Sequence, residues 1–146
     1  MAEIEEINLS DNPEFNLEQL NTASIERFLV TVSSKSGWQN TGISLSKGER
    51  LNIQYVSGQW NGDGGRFPFH GPAGPIHDAY TAPSHYPLPG EVEDCMVGKV
   101  GNHKFKVGET LRMIISAPGT LALTINDVGY HDNSGSIAMR ISVERR

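Results

Sequence analysis

The stretch Thr124–Ser136, "TINDVGYHDNSGS", concentrates oxygen donors in one short bend. Asn126, Asp127, Asp132 and Asn133 offer amide and carboxylate oxygens, and the backbone carbonyls around Gly129 and Tyr130 lie between them. Such a set suits a hard cation, because Ca²⁺ takes about six to eight oxygen ligands in flexible geometry. Zinc or copper would want His or Cys in place of most of these groups. Asp127 and Asp132 also repel each other in one turn unless something positive stands between them. The competing reading is that Asp, Asn, Ser and Gly are good turn formers whose side chains bond their own backbone.

A bend of this kind needs two strands to hold it, and the surrounding sequence supplies them. Apolar residues alternate with period two in "RFLVTV" (Phe28, Val30, Val32), "RLNIQY" (Leu51, Ile53, Tyr55), "LRMIIS" (Leu111, Met113, Ile115), "LALTIN" (Leu121, Leu123, Ile125) and "SIAMRISV" (Ile137, Met139, Ile141, Val143). Period two places one row of side chains on a core and the other toward solvent. Turn signals separate the runs at "SKGE", "VGN", "KVGE" and "APGT",. Short strands at regular spacing, with no convincing helix after residue 26, predict an all-β, antiparallel β-sandwich,. Residues 57–92 break the rhythm: they are rich in Gly, Pro, His and aromatics and read as one long loop. A loop of that length in a compact domain usually carries function.

Taken together, these segments resemble the PA-IL-like family of calcium-dependent, galactose-binding bacterial lectins. "GWQNTGISLSKGERLNI" is similar to the family's opening strand pair, and "SGQW" with the Gly-rich stretch and "GPAG" resembles its first binding loop. "CMVGKVGN" is similar to its central strand, and "INDVGYHDNSGSIAMRISV" to its closing hairpin; the resemblance spans residues 27–143. It implies a jelly-roll-like sandwich in which Asp127 serves both calcium and sugar, Asp132 and Asn133 complete the metal shell, and backbone carbonyls come from the bend at Gly129 or Tyr130 and from the loop at Asp63. It implies sugar contacts from Asp127, Val128 and Asp132, and from a loop histidine that is His77 or His85. Calcium would bridge vicinal hydroxyls of a galactoside, galactose-containing glycans would be the partners, and a homo-oligomer would present several sites. The bend "DVGYHDN" is shorter than the family's, and Asp132 stands where the family has an amide.

Several residues keep two readings. Trp60 is either an apolar wall beside a sugar or a buried strand-end anchor, and Tyr130 and His131 either cover a pyranose face or decorate the loop. Asp63 offers a carboxylate or a carbonyl, or simply forms a turn. Trp38 and Cys95 read as packing.

Composition bounds the rest. The 146 residues make one domain with 37% hydrophobic and 20% charged residues, enough to bury a core. Seven of the 17 acidic residues fall in residues 1–26, which hold no Lys or Arg, so the other ten face all 12 basic residues. Residues 1–26 therefore read as an acidic extension, a solvated arm or docking helix, ahead of a sandwich at 27–146. A body so near neutrality lacks the basic stripe of a nucleic-acid binder. No apolar run is long enough to insert in a membrane, and no signal peptide precedes the domain, so the expected location is the cytoplasm as written, with non-classical export as the alternative,. A single cysteine excludes an internal disulfide and a multi-thiolate zinc site,. Catalysis is the rival class: Asp63 with Asp127 could act as a glycosidase acid and base, but the chain lacks G-x-S-x-G and HExxH, and its five His are scattered,. The third class is a lectin-like interaction or assembly module with an altered metal site.

Overall fold

A computed structural model of the chain describes the backbone of residues 3–4 and residues 24–65, 67–76 and 80–145, with the Asp63 side chain set aside. Its elements run β1 (Glu3–Ile4), β2 (Ser24–Ser33), β3 (Gln39–Leu45), β4 (Arg50–Asn61), a short 3₁₀ turn η1 (Asp63–Gly65), β5 (Met96–Val100), β6 (His103–Lys106), β7 (Thr110–Ile114), β8 (Gly119–Ile125), a second turn η2 (Tyr130–Asp132) and β9 (Ser134–Arg145). Two antiparallel sheets form, ordered β1-β2-β9-β4-β7 and β3-β8-β5-β6. The predicted β-sandwich is the observed architecture.

The core is built from the alternating rows. Val32, Leu51, Ile53, Leu121, Leu123, Ile125, Ile137, Met139, Ile141 and Val143 are buried in one cluster, with Phe28, Val30, Tyr55, Leu111 and Met113 packed against it. Each strand thus puts its apolar face between the sheets, where burial contributes about 25 cal/mol per Å² of apolar surface removed from water. At the far end of β9, Arg145 ties three elements together: its Nε donates to Glu26 (2.6 Å), and its Nη1 donates to the Ser44 carbonyl (2.6 Å) and to the buried Glu49 (3.0 Å).

Two boundaries differ from the sequence reading. β2 begins at Ser24, so pairing with β9 reaches into the acidic segment; the arm or helix expected for the rest of residues 1–26 lies largely outside the described residues. The long loop also starts later than expected. Ser57–Asn61 continue β4 and pair with β9 as far as Asn61↔Ser134, after a bulge between Tyr55 and Ser57. Glycine makes this possible. Gly58 (φ 95°) and Gly135 (φ 96°) both lie in the left-handed region, and a Cβ on either would run into backbone of the facing strand,.

Candidate functional site

The bend lies where the two sheets meet at one end of the sandwich. β8 delivers Asn126 and Asp127 from one sheet, and β9 takes the chain away at Ser134 in the other. Beside the start of β9 runs the end of β4, so Asn61 faces Ser134 and η1 touches η2. This register brings the Asp63 backbone, Tyr130 and Asp132 into one place, although they come from loops far apart in the chain.

Each oxygen in the bend has a distinct environment. Asp127 is buried at 2% exposure, and its Oδ1 accepts a 2.8 Å hydrogen bond from the Val128 amide. Val128 is half-buried and enters the site through that amide. Asp132 is exposed, and its Oδ2 lies 3.9 Å from where a Cβ on Gly64 would sit, which puts the carboxylate beside η1. Asn133 is fully buried: its Nδ2 donates to the Ser34 carbonyl at 2.9 Å, which aims the amide, while its Oδ1 accepts no hydrogen bond. Ser34 in turn donates its hydroxyl to the Gly135 carbonyl at 2.7 Å, fixing the backbone just after Asn133. Asn61 Oδ1 is a second buried acceptor with no hydrogen bond. Leaving such an acceptor unmatched costs about 1–3 kcal/mol, so two of them at one sheet end call for a donor or a cation. Lys35 Nζ reaches the His131 carbonyl at 3.4 Å on the rim.

Tyr130 is half-buried against the core, its ring beside Gly37, and burial followed by the negative charge of Asp127 pushes its phenol pKa up. It stays a neutral hydroxyl donor at physiological pH. Among the described residues no three His, Cys, Asp or Glu side chains form a metal-holding group. An ion in this bend would lean on amide and carbonyl oxygens as well as carboxylates, which is within the habit of calcium and outside that of zinc.

Asn126 does something other than the sequence suggested. Its Oδ1 accepts from the Leu88 amide (2.9 Å), and its Nδ2 donates to the carbonyls of Leu88 (3.0 Å) and Val92 (3.1 Å). Every polar atom of the side chain is used to pin the long loop against the bend. Trp60 is corrected too: it is wholly buried in the core, with its indole N–H on the Asp94 carbonyl at 2.9 Å, so its ring cannot face a sugar. His77 lies outside the described residues. His85 is exposed and rests edge-on against Tyr86, with ring centroids 5.0 Å apart. Trp38 is half-buried beneath Lys99 Nζ, and Cys95 is buried, as packing residues should be.

Sequence reading missed Asn61 and Asp94. Asn61 joins only through its register with Ser134, which no local pattern announces. Asp94 is buried with φ 65°, uncommon for a residue with a Cβ, and its carboxylate occupies the space a side chain on Gly62 would need,. Its carbonyl holds Trp60, and its amide donates to the Asn126 carbonyl at 2.9 Å, so it couples the core, the bend and the root of η1.

No family model and no curated protein matches the chain. Among solved structures, one described as the EclA N-terminal domain, a PllA-like lectin, superposes with a TM-score of 0.59 at 24% identity, covering 80% of this chain and 95% of that one. The chain has the fold of a PllA-like lectin. On this shared fold the sandwich suggested by the sequence motifs is in place, but the expected closing hairpin is not: β8 and β9 belong to different sheets, so the oxygen-rich bend is a crossover from one sheet to the other.

Proposed function

We propose that the protein is a calcium-dependent lectin, non-catalytic, that binds galactosides through the bend at residues 127–133. The observation that carries this reading is the fully buried Asn133 Oδ1, which is aimed by its Nδ2 bond to Ser34, accepts no hydrogen bond, and stands in the same bend as Asp127 and Asp132. Asp127, Asp132, Asn133 and the backbone carbonyls of Asp63 and Tyr130 would hold the ion. When bound there, calcium supplies a doubly positive centre to which vicinal sugar hydroxyls can coordinate. The chain's own part is to accept the hydroxyl protons on carboxylate oxygens, to offer the Tyr130 hydroxyl as a neutral donor, and to hold these groups on two paired strands so that little order is lost on binding. The galactose preference, and a contact from His77, are carried by the motif resemblance.

A shallow single-sugar site binds weakly, so the reading includes a homo-oligomer whose sites engage one glycosylated surface together. It also includes export, because such surfaces lie outside the cell. A glycan array probed with the full chain in millimolar Ca²⁺ and again in chelator tests the proposal. Retention of galactosides in calcium alone is the expected pattern; an array that stays blank in both, or is identical in both, would sink it and point to an assembly module.

A further inference from the structure

The turn between β2 and β3, residues 34–38, packs against the flank of the calcium bend. Its own hydrogen bonds hold it in shape. Gln39 Oε1 accepts from the Ser33 amide (2.9 Å), Gln39 Nε2 donates to the carbonyls of Ser33 (2.8 Å) and Ser36 (3.3 Å), and the Lys35 amide donates to Ser33 Oγ (3.0 Å). Three contacts then join the turn to the bend. The Ser34 carbonyl accepts from Asn133 Nδ2, the Tyr130 ring lies against Gly37, and Lys35 Nζ reaches the His131 carbonyl at 3.4 Å. Two of these contacts leave a donor to spare. Lys35 is exposed and forms no ion pair among the described residues, and its carbonyl contact is long for a hydrogen bond, so the ammonium is readily given to a stronger acceptor,. The Tyr130 hydroxyl, 3.2 Å from where a Cβ on Gly37 would sit, donates to no group among the described residues.

From this juxtaposition we infer that Lys35 and Tyr130 form an oxyanion subsite on the flank of the bend, which makes the site prefer saccharides carrying a sulfate or carboxylate group. The inference rests on the calcium-lectin reading above and names the substrate class of that same site. Chain geometry keeps the two donors together. Lys35 and Gly37 are two residues apart, at most about 7 Å between Cα atoms, and the carbonyl that Lys35 reaches belongs to the residue after Tyr130. An ammonium and a phenol both offer protons, and an oxyanion accepts both while bringing none of its own. A bound calcium ion would engage the carboxylates of Asp127 and Asp132, which leaves the charge of Lys35 for the ligand. Because Gln39 and Ser34 already fix the turn, little order is lost when the anion is bound,.

Calorimetric titration of the full chain in millimolar Ca²⁺ tests this with methyl galactoside, its 6-sulfate and methyl galacturonoside, which share their vicinal ring hydroxyls and differ in the charge carried at C6. At least one anionic ligand should bind about three- to tenfold tighter than the neutral one, and the gain should shrink with added salt. Lys35→Gln should erase the gain and leave the neutral affinity as it was, Lys35→Arg should keep it, and Tyr130→Phe should reduce it. In sugar-free titrations Lys35→Gln should take up Ca²⁺ at least as tightly as the parent, since a positive charge has left the bend. Loss of calcium by that variant would make Lys35 a structural part of the bend and overturn the inference. So would a neutral galactoside that binds in calcium while neither anionic ligand binds tighter, a gain that survives Lys35→Gln, or inorganic sulfate that displaces the 6-sulfate at equal affinity. Blank titrations with all three sugars in calcium would sink the lectin reading itself, and the subsite with it.

Discussion

Replacing Asn126 by Ala separates its role as a staple from a role as an ion ligand. The side chain is fully buried and makes three hydrogen bonds of 2.9, 3.0 and 3.1 Å to Leu88 and Val92. Each is worth about 0.5–1.5 kcal/mol net, with a further cost where a buried partner loses its only bond. The variant should therefore lose about 2–4 kcal/mol. At roughly 2–4 °C per kcal/mol for a domain of this size, its Tm should fall by about 4–16 °C. Asn126→Asp should be no better, since it keeps an acceptor for Leu88 N–H but sets a carboxylate against two carbonyls. Urea unfolding in chelator supplies the free energy, and hydrogen exchange should show the amides of Leu88 and its neighbours opening well before those of β4 and β9. A loss under about 1 kcal/mol in chelator, together with an abolished response to calcium, would refute the assignment and make Asn126 a ligand.

Other outcomes follow from the packing and the titrating groups. Gly135→Ala, which drives a Cβ into the Gln59 backbone at positive φ, should cost about 3 kcal/mol or more by chemical denaturation,; the exposed Gly129→Ala, with open space around its Cβ, should cost only about 1 kcal/mol,. His70 is buried, which lowers its pKa below the ordinary 6.5, with a partly offsetting bond at Gly71. The unfolded chain thus binds this proton more readily, so stability is complete above pH 6.5 and should fall as the pH drops below it, a slope that His70→Gln should flatten in pH-dependent melts,. Burial pushes the Cys95 thiol up to about 12, so native protein at pH 8 should resist a thiol reagent that modifies it at once in denaturant,.

The sandwich was legible because its strands obey one simple rule. All five alternating runs put their apolar row into the core, from Val32 to Val143, since a half-buried strand leaves period two in its sequence,. The start of the long loop was misplaced for an equally physical reason: Ser57 and Gly58 look like turn residues, yet Gly58 is needed for the close approach of β4 to β9. Within the bend, composition found the right segment but could not sort its members. Asp132 and Asn133 are neighbours with similar chemistry, and one is exposed while the other is sealed by Ser34, 99 residues away in sequence. Asn126 and Asp127 divide in the same manner, because the partners of Asn126 lie 34 and 38 residues upstream. Local sequence specifies which strand turns where; which oxygen is left for a ligand is decided by contacts between distant segments.

The central claim is that the acceptors around Asn133 and Asp127 await a divalent cation, and isothermal titration of Ca²⁺ into the folded chain tests it most directly. One saturable ion per chain is expected, with magnesium much weaker, a Tm that rises by the equivalent of about 2.7 kcal/mol at 100-fold excess over Kd, and no uptake by Asp127→Ala or Asn133→Ala variants that remain folded. Heat and melting curves that do not respond to millimolar calcium in the parent chain would contradict the claim.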